Sequence, residues 1–245
     1  MIKVPSTMRE KDKPGIRSLP LFRDMSDDTF DSLMQVSYAQ NFPARLELFQ
    51  QGQPADFLHI VVDGTVELHA EWNGRETVMG IVRPVSSFIL AACIRDAPYL
   101  MSAVTLQPSR IIMLPAPDLR RALSRDSGLA MAAMGQLADG YRVMVRHSKN
   151  MKLRTARERL ASWMLRQSQL AGEDSFQLSV EKRHLASYLG ITAESLSRTI
   201  RALREDGVEV RGTHVTIADP ARLQDVARPD PLLDEHDVTD AMDLR

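Results

Sequence analysis

A glycine between two short apolar stripes constrains the fold more than any other feature of this 245-residue chain. Gly190 can adopt the left-handed conformation that a tight turn needs, and Thr192 can cap the helix that follows it. Ser179 is the predicted cap of the preceding helix, and residues 208–217 predict a small β-hairpin. Two short helices joined in this way and followed by a hairpin form a winged helix-turn-helix. The predicted inward-facing stripe comprises Leu185, Leu189, Leu196, Ile200 and Leu203.

The second of these helices carries polar side chains on its predicted outer face. A helix of this kind lies in the major groove of DNA, with its first residues at the base edges. Arg198 can donate two hydrogen bonds to guanine, and Glu194 can accept one from cytosine. The alternative is that these two residues, four apart, only pair with each other on an exposed helix. The candidate DNA-contacting residues are Thr192, Glu194, Ser195, Ser197, Arg198 and Arg201.

The local charge of the last third of the chain also favours nucleic acid as a partner. The whole chain has a net charge of −1, which does not by itself suggest a polyanion partner. Residues 149–228, however, contain 14 Lys and Arg against 10 Asp and Glu, counted from the sequence. This surplus of four is suited to phosphate contacts. We therefore predict a DNA-binding domain over residues 153–228 and double-stranded DNA as its partner.

The middle of the chain predicts a β-structure. Between residue 41 and about residue 116, short apolar runs are interrupted by Gly and Pro. Asp63-Gly64 and Asn73-Gly74 are strong signals for tight turns, because such turns need positive φ angles. Several strands of this length predict a small antiparallel barrel or jelly roll over residues 19–126. A helix capped by Ser26 precedes it, so the expected fold class is α+β.

A long helix is predicted over residues 127–152, with a heptad pattern of apolar residues sustained for about three repeats. We interpret this seam as a dimer interface between two copies of the chain. The alternative is a helix that packs on its own barrel. The residues assigned to the dimer interface are Met134, Leu137, Tyr141, Met144 and Met151.

The composition excludes several classes of protein. Cys93 is the only cysteine, which excludes a disulfide framework, a zinc ribbon and a four-cysteine iron–sulfur site within one chain. No apolar run approaches the roughly 18–20 residues needed to cross a bilayer. The first residues contain no apolar signal core. We expect a cytoplasmic protein without a membrane partner, a flexible arm over residues 1–18, and a disordered acidic tail over residues 229–245.

The order of these parts resembles the CRP/FNR family of bacterial transcription regulators, over residues 19 to 227. Gly52 and the run from residue 57 to residue 66 resemble the glycine-punctuated strand pair of the family's cyclic-nucleotide-binding-like barrel. The resemblance implies a homodimer, a two-fold target of the TTGAT…ATCAA kind and contacts with RNA polymerase. It also implies that an effector at the barrel and dimer helix sets the activity. The FNR-type signature Glu-x-x-Ser-Arg falls on Glu194, Ser197 and Arg198.

Departures from the family pattern bear on the effector. Members that bind cyclic nucleotides carry a Gly-Glu pair and, about ten residues later, an Arg-Ser pair for the sugar and phosphate. Here Ser102 and Ala103 match the end of that cassette, but Met101 stands in the place of the Arg. A buried phosphate without its Arg is badly compensated, so cAMP is disfavoured. An iron–sulfur cluster of the FNR kind is disfavoured by the single cysteine.

Other relatives bind haem and respond to NO or CO, and the apolar stretch 88–92 resembles a branch linked to nitrogen-oxide respiration. The possible iron ligands are His59, His69, His147, Cys93 and Met101, of which His59, Cys93 and Met101 are the effector candidates. Each has a plainer interpretation: a packed strand residue, a small buried apolar residue, and a filler for the missing Arg. His69 alternates with buried positions and is expected to face solvent. A small organic effector, or none, is the alternative to haem.

Two other classes of function have less support in the sequence. A barrel can host metal chemistry, as in cupin-like metalloenzymes, and His59 with Glu67 and His69 is the nearest approach to such a set. Its spacing matches no ligand pattern, and the chain has no nucleophile elbow, P-loop or dinucleotide fingerprint. We therefore do not expect an enzyme. The remaining class is a DNA-binding protein that acts without any effector.

Overall fold

The computed structural model describes residues 6–7, 10–178 and 181–234. The chain divides into two compact units, Met1–Asp139 and Gly140–Arg245. The boundary lies inside one long helix, whereas the sequence predicted separate barrel, helix and DNA-binding segments with boundaries at 126 and 152. Among the described residues, no helix is both long enough and apolar enough to cross a membrane.

The first unit is built on two antiparallel sheets. One sheet has the strand order β1-β2-β9-β4-β7 and the other the order β3-β8-β5-β6. The central strands of the first sheet are buried almost throughout, because both of their faces are covered. The strands are β1 (Ser6–Thr7), β2 (Tyr38–Phe42), β3 (Glu47–Phe49), β4 (Phe57–Asp63), β5 (Val66–Trp72), β6 (Arg75–Val82), β7 (Ser86–Phe88), β8 (Ser102–Thr105) and β9 (Ser109–Pro115).

The two predicted turns in this unit have different outcomes. Asn73 and Gly74 both have positive φ and close the hairpin of β5 and β6, as predicted. Asp63-Gly64 does not close a hairpin, because β4 and β5 belong to different sheets. A Cβ on Gly64 would lie 2.1 Å from Oγ of Ser109, so close packing requires glycine there.

Helices pack against β4 and β9, two interior strands of the first sheet. Ser26 caps α3 as predicted, accepting a hydrogen bond from the backbone N–H of Thr29. The carboxylate of Asp126 accepts from the N–H of Leu129 and from the N–H and hydroxyl of Ser26, and these bonds hold its pKa well below the usual range. The helices are α1 (Lys13–Arg17), α2 (Pro20–Arg23), α3 (Asp27–Val36), α4 (Leu90–Arg95), α5 (Ala116–Leu123) and α6 (Ser127–Leu153).

The prediction of a flexible arm over residues 1–18 is wrong for residues 10–17. Ile16 is fully buried in the core of the first unit. Arg17 donates to the carbonyls of Phe22 and Met25, and Asp12 forms a two-contact ion pair with Arg110 at 2.6 and 3.0 Å. A polar segment can dock in this way when a few of its side chains find partners. Residues 1–5 and 8–9 lie outside the described part of the chain.

The second unit contains the predicted winged helix-turn-helix. Its sheet has the strand order β10-β12-β11, and the hairpin of β11 and β12 is the predicted wing. The helix α8 begins at Lys182 with Glu181 at the N-cap position; Ser179, the predicted cap, lies outside the described residues. The elements are α7 (Ala156–Ala171), β10 (Ser175–Gln177), α8 (Lys182–Tyr188), α9 (Ala193–Ala202), β11 (Val208–Arg211), β12 (His214–Ile217), α10 (Pro220–Ala227) and α11 (Pro231–Asp234).

The predicted disordered tail begins with an ordered turn. The carboxylate of Asp234, in α11, receives both terminal nitrogens of Arg154 at 2.6 and 2.7 Å, and the hydroxyl of Ser162 at 2.7 Å. The guanidinium holds the pKa of this partly buried carboxyl below its usual value, against the opposing effect of burial. The prediction is therefore wrong for residues 231–234, and residues 235–245 lie outside the described part.

Candidate nucleic-acid interface and effector region

Buried contacts from α7 support the helix-turn-helix. Thr155 and Glu158 form a capping box at the start of α7, which fixes where this helix begins. Arg159 is buried, and its guanidinium donates to the carbonyl of Leu189 at 2.9 Å and to that of Arg154 at 2.6 Å. The side chain of Arg159 therefore connects the end of α8 to the end of α6. It pairs two carbonyls at helix ends that would otherwise lack a helical partner.

The turn between α8 and α9 is close-packed. Gly190 has φ +63°, and a Cβ there would lie 2.7 Å from Sδ of Met151. Any other residue would therefore strain the backbone at this positive φ, and the end of the flexible Met151 side chain would have to shift. Met151, predicted to belong to the dimer seam, is half-buried and lies against the turn of its own unit.

The second helix, α9, presents the predicted polar face. The side chain of Thr192 accepts from the N–H of Ser195 at 3.2 Å, which confirms it as the N-cap. Leu196 is buried in the core of the unit, while Glu194 and Ser197 are exposed. The buried stripe therefore orients the helix with its polar residues towards solvent.

Arg198 is held by a neighbour other than the predicted one. Its Nη2 donates to Oγ of Ser195 at 3.1 Å, one helical turn earlier. Within the described residues no ion pair joins it to Glu194, whose carboxylate instead accepts from the hydroxyl of Thr192 at 3.4 Å. Arg201, one turn later, donates to the carbonyl of Ser197 at 3.3 Å. The guanidinium of Arg198 therefore lies over the first turn of α9, on its exposed side.

An ion-pair cluster, missed at the sequence level, accounts for part of the basic surplus. Asp206 is buried, with Arg157 bound to one carboxylate oxygen and Arg222 at 3.6 Å from the other. These two arginines balance a buried carboxylate, which would be costly if unpaired. No local pattern signals the cluster, because its members come from three elements distant in sequence.

The seam of α6 is exposed within the chain. Met134 is 55% exposed and Tyr141 is 71% exposed, and Leu137 and Met144 are exposed as well. Contiguous exposed apolar side chains of this kind mark an interaction surface. For Met134 and Leu137, which lie in the first unit with the barrel, these exposures do not fit packing on that barrel.

His59 lies in an aromatic cluster inside the first unit. Its ring centroid is 5.0 Å from that of Phe49, 5.3 Å from Phe88, 6.4 Å from Tyr99 and 6.5 Å from Phe57. Burial lowers the pKa of this imidazole to about 4, so it is neutral at physiological pH. Its Nδ1 has no hydrogen-bond partner among the described residues.

The other two effector candidates are also engaged in the fold. Cys93 is fully buried, and burial raises the pKa of its thiol to about 12, so the thiolate is disfavoured. Met101 is half-buried and packs against the core. The hydroxyl of Ser102 accepts from the N–H of Gln51 at 2.9 Å, a contact internal to the barrel.

These environments do not fit a haem. An iron bound to His59 would have to lie in the space that the surrounding aromatic rings fill. Cys93 would have to lose a proton inside an apolar core before it could bind iron. All three candidates lie in or against the buried core of the first unit. Cys93 and Met101 pack there as ordinary apolar residues.

Comparison with known proteins matches both units. A cyclic nucleotide-binding domain family matches residues 39–126, and a Crp-like helix-turn-helix domain family matches residues 158–226. The transcriptional activator protein FnrL of Cereibacter sphaeroides is 25% identical over 93% of this chain and 96% of its own length. The cyclic AMP receptor protein of Thermus thermophilus is 23% identical over 86% of this chain and 98% of its own.

A solved structure is similar to this chain over most of its length. It is a regulatory protein from Silicibacter pomeroyi, described as cAMP-binding, at 27% identity and a TM-score of 0.54. The match covers 90% of this chain and all of the other. A cyclic-nucleotide-binding β-domain, a long helix and a Crp-like helix-turn-helix together define a DNA-binding transcription regulator. The chain belongs to the CRP/FNR family of these regulators.

Proposed function

We propose that the chain is a homodimeric regulator that reads a two-fold DNA site of the TTGAT…ATCAA kind. The observation that carries this proposal is the exposed polar face of α9. This helix is capped by Thr192, follows the turn at Gly190 and is oriented by its buried apolar residues. Such a helix presents its first turns to the base edges of the major groove. The relatives are transcription regulators, so no catalytic activity is proposed.

Each polar residue of α9 has a proposed role. Arg198 would read a guanine with two hydrogen bonds, and Glu194 would accept from a cytosine amine. Ser195 would hold Arg198 in place, as the 3.1 Å contact between them suggests. The remaining candidates, Thr192, Ser197 and Arg201, would contact the backbone or flanking bases.

The dimer is proposed to form through the α6 seam of Met134, Leu137, Tyr141 and Met144. Its support is the exposed apolar stripe, which a single chain leaves in contact with water. Met151 would contribute at the edge of the seam, while it supports the turn before α9. Contact with RNA polymerase through exposed barrel and loop surfaces is proposed from the family resemblance alone.

The DNA proposal is tested by equilibrium binding of the full-length protein to two duplexes at physiological salt. One carries the two half-sites about one helical turn apart, and the other the same bases scrambled. We expect the specific duplex to bind at least about 10³-fold more tightly, a ratio typical of specific regulators. Equal affinity for both duplexes would leave only nonspecific binding and would overturn the proposal.

For the effector, a small organic ligand is favoured over haem. The reasons are the filled space around His59 and the disfavoured thiolate of Cys93. The absence of an Arg at position 101 argues against cAMP in the same region.

The absorption spectrum of the reduced, anaerobic protein after addition of haem, and then of NO, separates these cases. We expect only the broad band of loosely adsorbed haem. A sharp Soret band at one haem per chain, shifting with NO, would overturn the organic-ligand proposal in favour of a gas sensor. Variants of His59, Cys93 and Met101 would then identify the axial ligand.

A further inference from the structure

Three side chains able to bind a metal ion converge on the hairpin of β5 and β6. One ligand atom from each of Glu67, His69 and Glu76 lies within 4.8 Å of the other two. The Nε2 of His69 is 4.0 Å from a carboxylate oxygen of Glu76. Within the described residues, no other set of three His, Cys, Asp or Glu side chains comes this close together.

The pairing of the two strands explains this convergence. Glu67 and His69 are two residues apart on β5, so their side chains share one face of the strand. His69 is opposite Val78 on β6, and Glu76 is two residues from Val78, on the same face and diagonal to His69. The register shifts between Leu68 and His69, so the irregularity lies within the set. The set is therefore a product of strand pairing, and His59 takes no part in it.

Burial distinguishes this set from an ordinary acidic surface. Glu67 is only 3% exposed, and the side chain of His69 is 17% exposed, contrary to the expectation that it faces solvent. The Nδ1 of His69 is buried without a hydrogen-bond partner among the described residues. Its Nε2 is too far from Glu76 for a hydrogen bond. Buried polar atoms in native proteins are almost always satisfied by protein, water or ligand, so this imidazole has room for a further partner.

We propose that Glu67, His69 and Glu76 form a binding site for a divalent transition-metal ion, with Zn²⁺ as the preferred ion. Zn²⁺ accepts imidazole nitrogen and carboxylate oxygen together, whereas Mg²⁺ and Ca²⁺ prefer oxygen alone. Two carboxylates balance the charge of the ion. Three protein ligands leave a fourth tetrahedral position for water or a small anion.

The site needs a small closure to bind the ion. Ligand atoms around tetrahedral Zn²⁺ are about 3.4 Å apart, so the 4.8 Å spread must shrink by about 1.4 Å. Glu76 can supply this movement, since its side chain is 63% exposed near the tip of the hairpin. Glu67 and His69 are already held by burial. The ion would then cross-link β5 to β6 in the first unit.

The test uses the full-length, metal-free protein and Co²⁺ as the probe, followed by competition with Zn²⁺. We expect one Co²⁺ per chain, with the intense visible bands of tetrahedral coordination, and displacement by Zn²⁺. Trp72, 71% exposed and three residues from His69, should be quenched by bound Co²⁺. A Trp72→Phe variant should lose this quenching and retain the visible bands.

Variants assign the ligands. His69→Ala and Glu67→Gln should weaken Co²⁺ binding by about 100-fold or more, since loss of even an outer partner can cost that much. Glu76→Gln should do the same, and its exposed position allows the barrel to fold in any case. Glu209→Gln, at an exposed carboxylate in the second unit, is the matched control and should bind as the parent does. Absence of stoichiometric binding, or full binding by both His69→Ala and Glu76→Gln, would overturn the proposal.

Discussion

At the scale of single residues, a helix can prepare one side chain for recognition. Ser195 is one turn before Arg198 and accepts a hydrogen bond from it, so the guanidinium is partly ordered before any DNA is bound. A preorganised arginine loses less conformational entropy on binding than a free one. The hydrogen bond to the serine hydroxyl can also be broken at little cost in free energy. An ion pair with a carboxylate would cost more to break.

Replacing Arg198 with Ala should cost about 1–3 kcal/mol in binding to the specific duplex and relax the preference at one base pair. The reason is that a two-bond contact to guanine is lost. Binding titrations against duplexes substituted at each position measure both effects. Arg211→Ala, in the exposed wing, is the control and should weaken binding to all duplexes alike. An equal loss on every duplex for Arg198→Ala would mean that this residue contacts only phosphate.

The buried His59 makes stability depend on pH. Its pKa is about 4 in the folded protein and 6.5 ordinarily, so the unfolded chain binds a proton first as the pH falls. The folded protein should therefore lose stability between pH 6.5 and 4, by up to about 3 kcal/mol from this group. Denaturant unfolding across this range should show the loss in the parent and a smaller one in His59→Phe. His214→Ala, at an exposed histidine, should behave like the parent; if His59→Phe does too, the imidazole is not buried and neutral.

At the scale of elements, α6 has two different halves. Its first residues pack into the first unit through Leu129 and Ala133, and its last turn supports the helix-turn-helix through Met151. Between them, Gly135 and Gly140 lower the intrinsic helix propensity. A partner helix packed along the seam would offset this cost.

Met144→Glu should dissociate the proposed dimer, because it places a charge in the centre of an apolar seam. Arg142→Glu introduces the same side chain at an exposed position outside the seam and should leave the dimer intact. Sedimentation equilibrium at micromolar concentration distinguishes the two states. If the Met144→Glu protein retains the mass of a dimer, the seam is not the interface.

At the scale of the whole molecule, a two-fold dimer imposes its own spacing on DNA. Two recognition helices related by a two-fold axis enter successive major grooves on one side of the duplex, about 10 base pairs apart. Any effector must bind the active and inactive arrangements with different affinity, or it cannot shift the balance between them.

Inserting five base pairs between the half-sites should reduce the affinity to nearly that for a single half-site. The insertion rotates one half-site by about half a turn, to the opposite side of the duplex. Binding to the inserted, parent and single-half-site duplexes provides the comparison. Unchanged affinity for the inserted duplex would indicate that the DNA-binding units act independently of each other.

The helix-turn-helix could be predicted from sequence because its signals are local. The apolar spacing of α8 and α9, the turn at Gly190 and the cap at Thr192 all lie within about 20 residues. Caps and side-chain periodicity act over one or two turns, so a linear sequence displays them directly. The same reasoning applies to Ser26 at the start of α3.

Predictions that depended on long-range contacts were less successful. Asp63-Gly64 resembles a hairpin turn locally, yet its strands join different sheets. Residues 10–17 are polar and resemble a free arm, yet Ile16 and Asp12 find partners far along the chain. In each case the stabilising contacts are made with residues distant in sequence, so a local pattern does not reveal them.

The sequence by itself determined the order of the parts, the turn at Gly190, the capped helix that follows it and the heptad pattern of α6, because periodicity and caps are properties of neighbouring residues. Only the tertiary structure decided that His59 is buried among aromatic rings and neutral. It also decided that Arg157 and Arg222 form ion pairs with Asp206. The proximity of Glu76 to Glu67 and His69 likewise depends on the fold. Burial and side-chain convergence depend on which strands and helices pack together, and that is settled only when the whole chain folds.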